Sequence, residues 1–568
     1  MGSREPKASA IGISSKKKPV FLFITAVIVA LLPLVVLEVG LRVGGFHVPQ
    51  DPFLSFGTVP EFFITKEIDG KLYYTVSRSD VYLERETIFP ARKAPNTFRV
   101  ICLGSSASAG WPHQGNEVYT AYLQEALQRA FPDRQIEVLN LGAHAYASYR
   151  NRLIFQEAIE FEPDAFVIWT GNNEFLEKRV YQTEQVWLEP VLAVANKSLL
   201  YRGLRGSRVG RWLFPGNTLS AYERAFGWFT VWSKIEQVAL ALRTNPEQFS
   251  AVKRHYESSV ESMVEMAQDK GIPVVLATVP VNLREWRPTV SCHSGEGARL
   301  EQWQARYHEG RRRLLEGNYP SAIEALAAST ELDPQYADGY FYLGKAFEAQ
   351  KQFDRAYANY SLARDYDCNP FRAISAFNES IHQIAGRHSN VTLADLTGAF
   401  SAAAAPYAPG FDLFLDYVHP TKRGNLVAAE SVFKALIEAR LLTGSEASPR
   451  FTHVPKGTGP NKVPYDDWHD TVIQKRIIKY FMIQHQDDSI IQRSRYLLDT
   501  PELREQLTVE DRQFLEKAKA LYSGIVASEQ QWMAEKAPDP REQNKARLLE
   551  FYKNTFTGYE DYKQNRAY

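Results

Sequence analysis

The chain has 568 residues, with 66 Lys and Arg against 66 Asp and Glu and a formal net charge of zero, which argues against the basic surface of a dedicated nucleic-acid binder. A composition of 45% hydrophobic and 23% charged residues is that of folded globular protein and excludes disordered or collagen-like chains, and the length calls for several domains. Three cysteines are too few for a disulfide scaffold or a zinc ribbon.

Residues 20–37 read VFLFITAVIVALLPLVVL, 18 residues without a charge. A helix of about 20 such residues crosses ~30 Å of hydrocarbon. Lys16, Lys17 and Lys18 precede the run, and positive charge stays on the cytoplasmic side. The expectation is a cytoplasmic tail over 1–18, an uncleaved transmembrane helix over 19–41, and export of everything after it. The rival reading is a cleaved signal peptide, which usually has a shorter apolar core and a small-residue site after it. Residues 42–96, rich in Pro, Phe and Tyr, are expected to form a membrane-proximal segment with some strands.

From Phe98 the pattern changes to apolar runs alternating with helical periods. Phe98–Leu103, Gln135–Leu141, Asp164–Thr170, Ile272–Val279 and Val391–Leu396 are predicted strands. Helices are predicted over Glu117–Phe131, Ser148–Phe161, about 249–270, and Asn425–Ala439. Strands alternating with helices imply a parallel sheet with helices on both faces.

Two segments interrupt the alternation. Residues 175–248 begin with Lys178, Arg179, Lys197, Arg202, Arg205, Arg208 and Arg211 beside Trp187 and Trp212, either a lid, a surface for anionic headgroups, or a solvated helical insertion. Residues 303–370 contain a repeat in which Gly310 recurs as Gly344, Tyr319 as Phe353, Ala322 as Ala356 and Asp333 as Asp367, each offset by 34. This resembles a tandem pair of tetratricopeptide (TPR) repeats, helix–turn–helix units of 34 residues whose stacked helices present a concave peptide-binding surface; it implies a protein partner. Cys292 and Cys368 bracket this insertion, and pairing or two free thiols both stay open. Beyond about 455, Ile473, Ile477, Ile478 and Phe481 share a helical face.

In open parallel sheets, sites form at the carboxyl ends of strands. The first strand runs into Gly104-Ser105-Ser106-Ala107-Ser108-Ala109-Gly110, the second into Asn140-Leu141-Gly142, the third into Gly171-Asn172-Asn173-Glu174. Asp416-Tyr417-Val418-His419-Pro420-Thr421 precedes the last helix. A serine hydroxyl is a weak nucleophile until a base takes its proton, and a carboxylate fixes the tautomer of an imidazole base. Backbone N–H groups and an Asn amide can stabilise an oxyanion. His113 and His144 lie near the expected crevice. His255, His293, His308, His382 and His388 form no metal spacing, and no phosphate loop or dinucleotide fingerprint is present; no cofactor or metal is expected.

These four blocks, in this order, resemble the SGNH/GDSL hydrolase superfamily. The resemblance covers roughly 97–300 and 371–440 and implies a flavodoxin-like three-layer α/β/α fold. It implies Ser106 as nucleophile, His419 as general base and Asp416 as its orienter. The oxyanion hole would be the N–H groups of Ser106 and Gly142 with the Asn173 side chain. Ser108 is the alternative nucleophile and Asn172 the alternative donor. Ser105 and Glu174 stand where the family pattern has Asp. The expected organisation is a hydrolase domain over 97–300 (with the 175–248 insertion) and 371–442, repeats over 301–370, and a helical C-terminal region over 443–568. The implied protein is a single-pass bacterial inner-membrane esterase or acyltransferase with its catalytic domain periplasmic. Its substrate would be an ester, such as O-acetyl on an envelope polysaccharide or glycolipid. The other class is a non-enzymatic scaffold built around the repeats.

Overall fold

The computed structural model describes residues 62–76, 88–113, 117–143, 146–175, 243–294, 296–441, 486–499, 501–505 and 507–535, with scattered positions over 29–43 and 540–551. Apart from the positions over 29–43, all of these lie in one compact unit, Phe62–Gln182 with Leu219–Tyr568. Most of the basic insertion after Phe175, and the apolar face of Ile473, Ile477, Ile478 and Phe481, fall outside the described residues.

The strands β1 (Phe63–Ile68), β2 (Lys71–Val76) and β3 (Ile88–Pro90) form a small antiparallel sheet. The main sheet contains β4 (Thr97–Gly104), β5 (Gln135–Asn140), β6 (Ala165–Trp169), β7 (Val274–Ala277) and β8 (Val391–Ala394), in the order β5-β4-β6-β7-β8. All of its pairings are parallel, with Ile101 opposite Leu139 and Cys102 opposite Val167. Every residue of β4 is buried, because a central parallel strand is covered on both faces, and this is why its sequence runs apolar without alternation. Cys102 is a free, buried thiol, pushed up to about 12 by burial.

Helices Tyr119–Ala130 and Lys422–Glu438 pack together on one face of the sheet, and Ser148–Ala158, Pro246–Asp269 and Ser375–Arg387 on the other. The first buries Tyr122, Leu123, Ala126 and Leu127, the apolar stripe that a 3.6-residue period places against a sheet. Asn245 caps the helix Pro246–Asp269, accepting from Glu247 and Gln248 N–H ahead of Pro246 at the first turn. The expected run Val391–Leu396 is shorter than predicted. Asp395 accepts the Gly398 N–H, and an Asp at this position starts a helix, Leu396–Ala404, rather than extending a strand.

One charged pair lies inside the sheet. Arg99 on β4 sits opposite Glu137 on β5, and its Nε donates to Glu137 Oε2 at 2.8 Å. The same guanidinium donates to the carbonyls of Phe161 at 2.6 Å and Pro90 at 3.1 Å, joining the main sheet to the small one.

Four helices, Ala298–Leu315, Tyr319–Leu332, Ala337–Ala349 and Phe353–Asp365, make up the repeat pair. A Cβ added at Gly310 would stand 2.5 Å from Leu326 Cγ, and one at Gly344 would stand 2.7 Å from Tyr360 Cδ1. The recurring glycine is the point where the two helices of each repeat touch. The recurring aspartates share a second task. Asp367 accepts from Thr289 N–H at 2.8 Å and Val290 N–H at 3.1 Å, and Asp333 accepts from Ser294 N–H at 3.1 Å and Ser294 Oγ at 2.6 Å. Repeat-related residues therefore grip successive parts of one segment, 289–294, that leads from the sheet into the repeats. Cys292 on this segment is disulfide-bonded to Cys368. Further along the chain, helix Asp487–Asp499 sits against the loop after β7, with Ser489 Oγ donating to Glu285 O at 3.1 Å.

The expected membrane span is corrected. Only part of 20–37 is among the described residues, and no helix among the described residues is long and apolar enough to cross a membrane. The single-pass inner-membrane location, with a periplasmic catalytic domain, does not stand.

Candidate functional site

The order β5-β4-β6 sets three strand ends side by side, so the segments after Gly104, Asn140 and Trp169 face a common region. Ser106 begins the short helix Ser106–Ala109 directly after β4. A first helical residue has no intrahelical acceptor for its N–H.

The fourth segment is shaped by its own aspartate. Asp416 Oδ1 accepts the N–H groups of Val418 and His419, both at 2.9 Å, which closes a tight turn. Oδ2 of the same carboxylate lies 2.6 Å from His419 Nδ1. The other ring nitrogen, Nε2, lies 2.8 Å from Ser106 Oγ. Ser106, Asp416 and His419 are 5%, 0% and 1% exposed, so this row is shielded from competing water. An imidazole held between a carboxylate and a hydroxyl can take the hydroxyl proton while the carboxylate supports the resulting imidazolium.

The remaining expected residues divide. Asn173 is buried, and its Nδ2 donates to Tyr146 O at 3.1 Å. An amide nitrogen has two hydrogens, so this bond leaves one to donate. Gly142 differs from expectation as an N–H donor. Its N–H points to Asn140 Oδ1 at 3.0 Å, so the side chain two residues earlier takes the hydrogen that an oxyanion would need. What Gly142 supplies is space, since a Cβ there would stand 2.6 Å from Ala109 N. Ser108 and Asn172, the alternatives, are engaged elsewhere: Ser108 Oγ lies 3.1 Å from Tyr119 OH, and Asn172 Oδ1 accepts the Ala373 N–H at 3.0 Å.

His113 packs behind the turn, with Nε2 3.1 Å from Pro420 O. Glu117 lies 3.7 Å from its Nδ1 and 2.9 Å from Lys422 Nζ. Burial pulls the Glu117 carboxyl upward, but hydrogen bonds and charge from His113 and Lys422 outweigh it and hold the group at about 2. His144 lies outside the described residues. Among the described residues no group of three His, Cys, Asp or Glu could hold a metal ion.

Sequence reasoning missed Trp111 and Asn282. The Trp111 ring stands 4.5 Å from the His419 ring, centroid to centroid, and is half-buried. Asn282 follows β7, and its Nδ2 donates to Asp416 O at 2.9 Å. The signal that could have found Asn282 is its place after the carboxyl end of a fourth strand, where the site rule also applies.

A family model for the TPR repeat matches residues 310–351. No curated protein matches the chain. Solved structures similar to it include LAE5, an alpha/beta hydrolase enzyme from the metagenome of Lake Arreo, Spain, at 14% identity and a TM-score of 0.28, covering 62% of this chain and 99% of that one. Axe2, an acetylxylan esterase from Geobacillus stearothermophilus, is similar at 14% identity and a TM-score of 0.27, covering 60% and 94%. The acetyl xylan esterase AlAXEase is similar at 14% and 0.27, covering 60% and 100%.

Proposed function

We propose that the chain is a serine esterase or O-acyltransferase that works through an acyl-enzyme on Ser106. The observation that carries this reading is the unbroken row Asp416–His419–Ser106, with contacts of 2.6 and 2.8 Å and almost no solvent exposure. Ser106 Oγ adds to the ester carbonyl carbon as its proton passes to His419 Nε2. The negative charge that develops on the carbonyl oxygen is met by the Ser106 N–H and the second Asn173 Nδ2 hydrogen. Collapse of the tetrahedral species breaks the bond to the leaving alkoxide, which takes the proton back from His419. Water or an acceptor hydroxyl then attacks the acyl carbon, His419 again takes and returns the proton, and Ser106 is released. The Trp111 ring beside His419 gives the crevice an apolar wall, which suits an acyl group or the flat face of a sugar ring. An O-acylated carbohydrate or lipid is therefore the substrate class tested first.

A fluorophosphonate probe should label the full chain at Ser106, and Ser106→Ala should remove the label. No labelling of folded wild-type protein would defeat the reading and favour the scaffold alternative, for which the repeat over 310–351 is the supporting feature. Product analysis with and without a sugar acceptor separates hydrolysis from transfer. If water is the only acceptor ever used, transfer is out.

A further inference from the structure

The turn that carries His419 does not stand alone. Asn282, buried at 0% exposure, meets it twice. Its backbone N–H donates to Tyr417 O at 2.9 Å, and its side-chain Nδ2 donates to Asp416 O at 2.9 Å. Its Oδ1 accepts the Glu285 N–H at 3.0 Å, which fixes the amide so that Nδ2 faces the turn. The Asn282 carbonyl in turn accepts Arg372 Nη1 at 2.7 Å, and the same nitrogen reaches Trp286 O at 2.9 Å. Arg372 is itself buried, with Asp367 3.7 Å from its Nη2. Asp367 is the aspartate at the end of the second repeat, anchored by the N–H groups of Thr289, Val290 and Asn369.

We propose that Asn282 is a positioning residue for the Asp416–His419 pair, and that Arg372, steadied by Asp367, holds Asn282 in place and so ties the exit of the repeats to the site. The proposal rests on the esterase reading for its catalytic meaning. Its physical basis is that a turn held by buried hydrogen bonds keeps one geometry, and small misplacements at a reacting centre are costly. Ser106, Asp416, Trp111 and Tyr417 face the His419 ring, whereas Asn282 bonds the backbone of the turn. Arg372→Lys, which conserves charge, is therefore the variant in which a changed His419 titration reports on positioning alone, and Asn282→Asp reports on it through the maximal labelling rate.

The test uses Asn282→Asp in the full chain. The new carboxylate keeps an acceptor for the Glu285 N–H and replaces the Nδ2 donor with a second acceptor against Asp416 O. The maximal labelling rate with fluorophosphonate should fall about 10- to 100-fold, with the probe concentration at half-maximal rate unchanged. The His419 titration, followed by NMR on 15N-histidine protein, should shift along with the pH profile of labelling. Arg372→Lys should give the same signature in weaker form. A folded Asn282→Asp variant with its labelling rate and His419 titration within about twofold of wild type would overturn the proposal. If Asn282→Asp does not fold, an unchanged His419 titration in folded Arg372→Lys overturns it instead. If wild-type protein takes no label, the esterase reading falls, while the His419 titration still decides whether Asn282 positions the ring.

Discussion

At the scale of single residues, the Asp416 carboxylate has two jobs that a substitution can separate. Asp416→Asn keeps an oxygen to accept the Val418 and His419 N–H groups, so the turn survives. It places an NH₂ donor against His419 Nδ1, 2.6 Å away in the native protein, and so drives the ring into the tautomer whose proton sits on Nε2. That nitrogen then cannot take the Ser106 proton. Fluorophosphonate labelling should slow by about 10⁴-fold with the fold intact; a loss under tenfold would mean the carboxylate is only structural. Glu117 makes a prediction in pH. Its folded value, about 2, lies below its unfolded one, so its contribution to stability is present above about pH 4.5 and is lost as pH falls toward 2. Denaturant midpoints measured across that window should decline in wild type, and Glu117→Gln should flatten part of the decline. At this scale the sequence was legible where residues came in patterned blocks. Ser106 stands in a short motif after a strand and Asp416 and His419 in one ahead of the last helix of the sheet domain, and the fold brings them into contact. Gly142 stands in such a block too, yet whether its N–H already has an acceptor depends on the side-chain rotamer of Asn140, which spacing does not encode. Trp111 carries no pattern and becomes visible only through its neighbours in space, while Asn282 is signalled by nothing more than its place after a strand end.

Elements were legible where one period ran long enough. The buried run of β4 and the amphipathic stripe of Tyr119–Ala130 follow from burial and helical repeat, with ends displaced by a residue or two. Helix Ser375–Arg387 is not legible although its buried residues, Phe377, Ile381 and Ile384, recur at helical spacing, because three positions over two turns are too few to stand out as a period. The 34-residue offset made the repeat pair readable, and its glycines carry a test. At Gly344 a side chain meets the Tyr360 ring and the Ala356 carbonyl, and Gly344→Val should cost about 1–3 kcal/mol by overpacking, measured by urea unfolding. A change below 0.5 kcal/mol would show that the helices separate without penalty. The buried Arg99–Glu137 pair gives the main sheet a second test. Glu137→Ala strands the guanidinium inside the sheet and should cost about 3–5 kcal/mol; a neutral result would mean that the Phe161 and Pro90 carbonyls alone satisfy Arg99.

The whole molecule depends on contacts between segments far apart in sequence, and these were the least legible. Gln486 exchanges two hydrogen bonds with the backbone of Arg287, both at 3.1 Å, and Arg493 reaches the carbonyls of Phe414 and Leu415 at 3.3 and 3.4 Å while its guanidinium lies over the Phe411 ring. No local pattern announces that a helix starting at Asp487 braces the loop after β7 and the segment just ahead of Asp416. The pairing of Cys292 with Cys368 was one of two open readings for the same reason, since sequence does not give Cα separations. Closing a loop across a sequence separation of 76 restricts the unfolded chain, and replacing both cysteines by serine should lower stability by about 2–4 kcal/mol. Calorimetry of the double variant against the oxidised protein checks this, and equal stability would place the restraint in the helices themselves.

The Cα atoms of Cys292 and Cys368 lie 6.1 Å apart, a gap that about two peptide units span. The polypeptide therefore departs from the sheet domain and rejoins it almost at one spot, like a cassette clipped into a wall. Such a cassette is transplantable in principle. A short turn joining the two rims could stand in for the helices, and another helical array could be spliced between them, wherever the replacement again supplies a carboxylate for Arg372 at the position of Asp367.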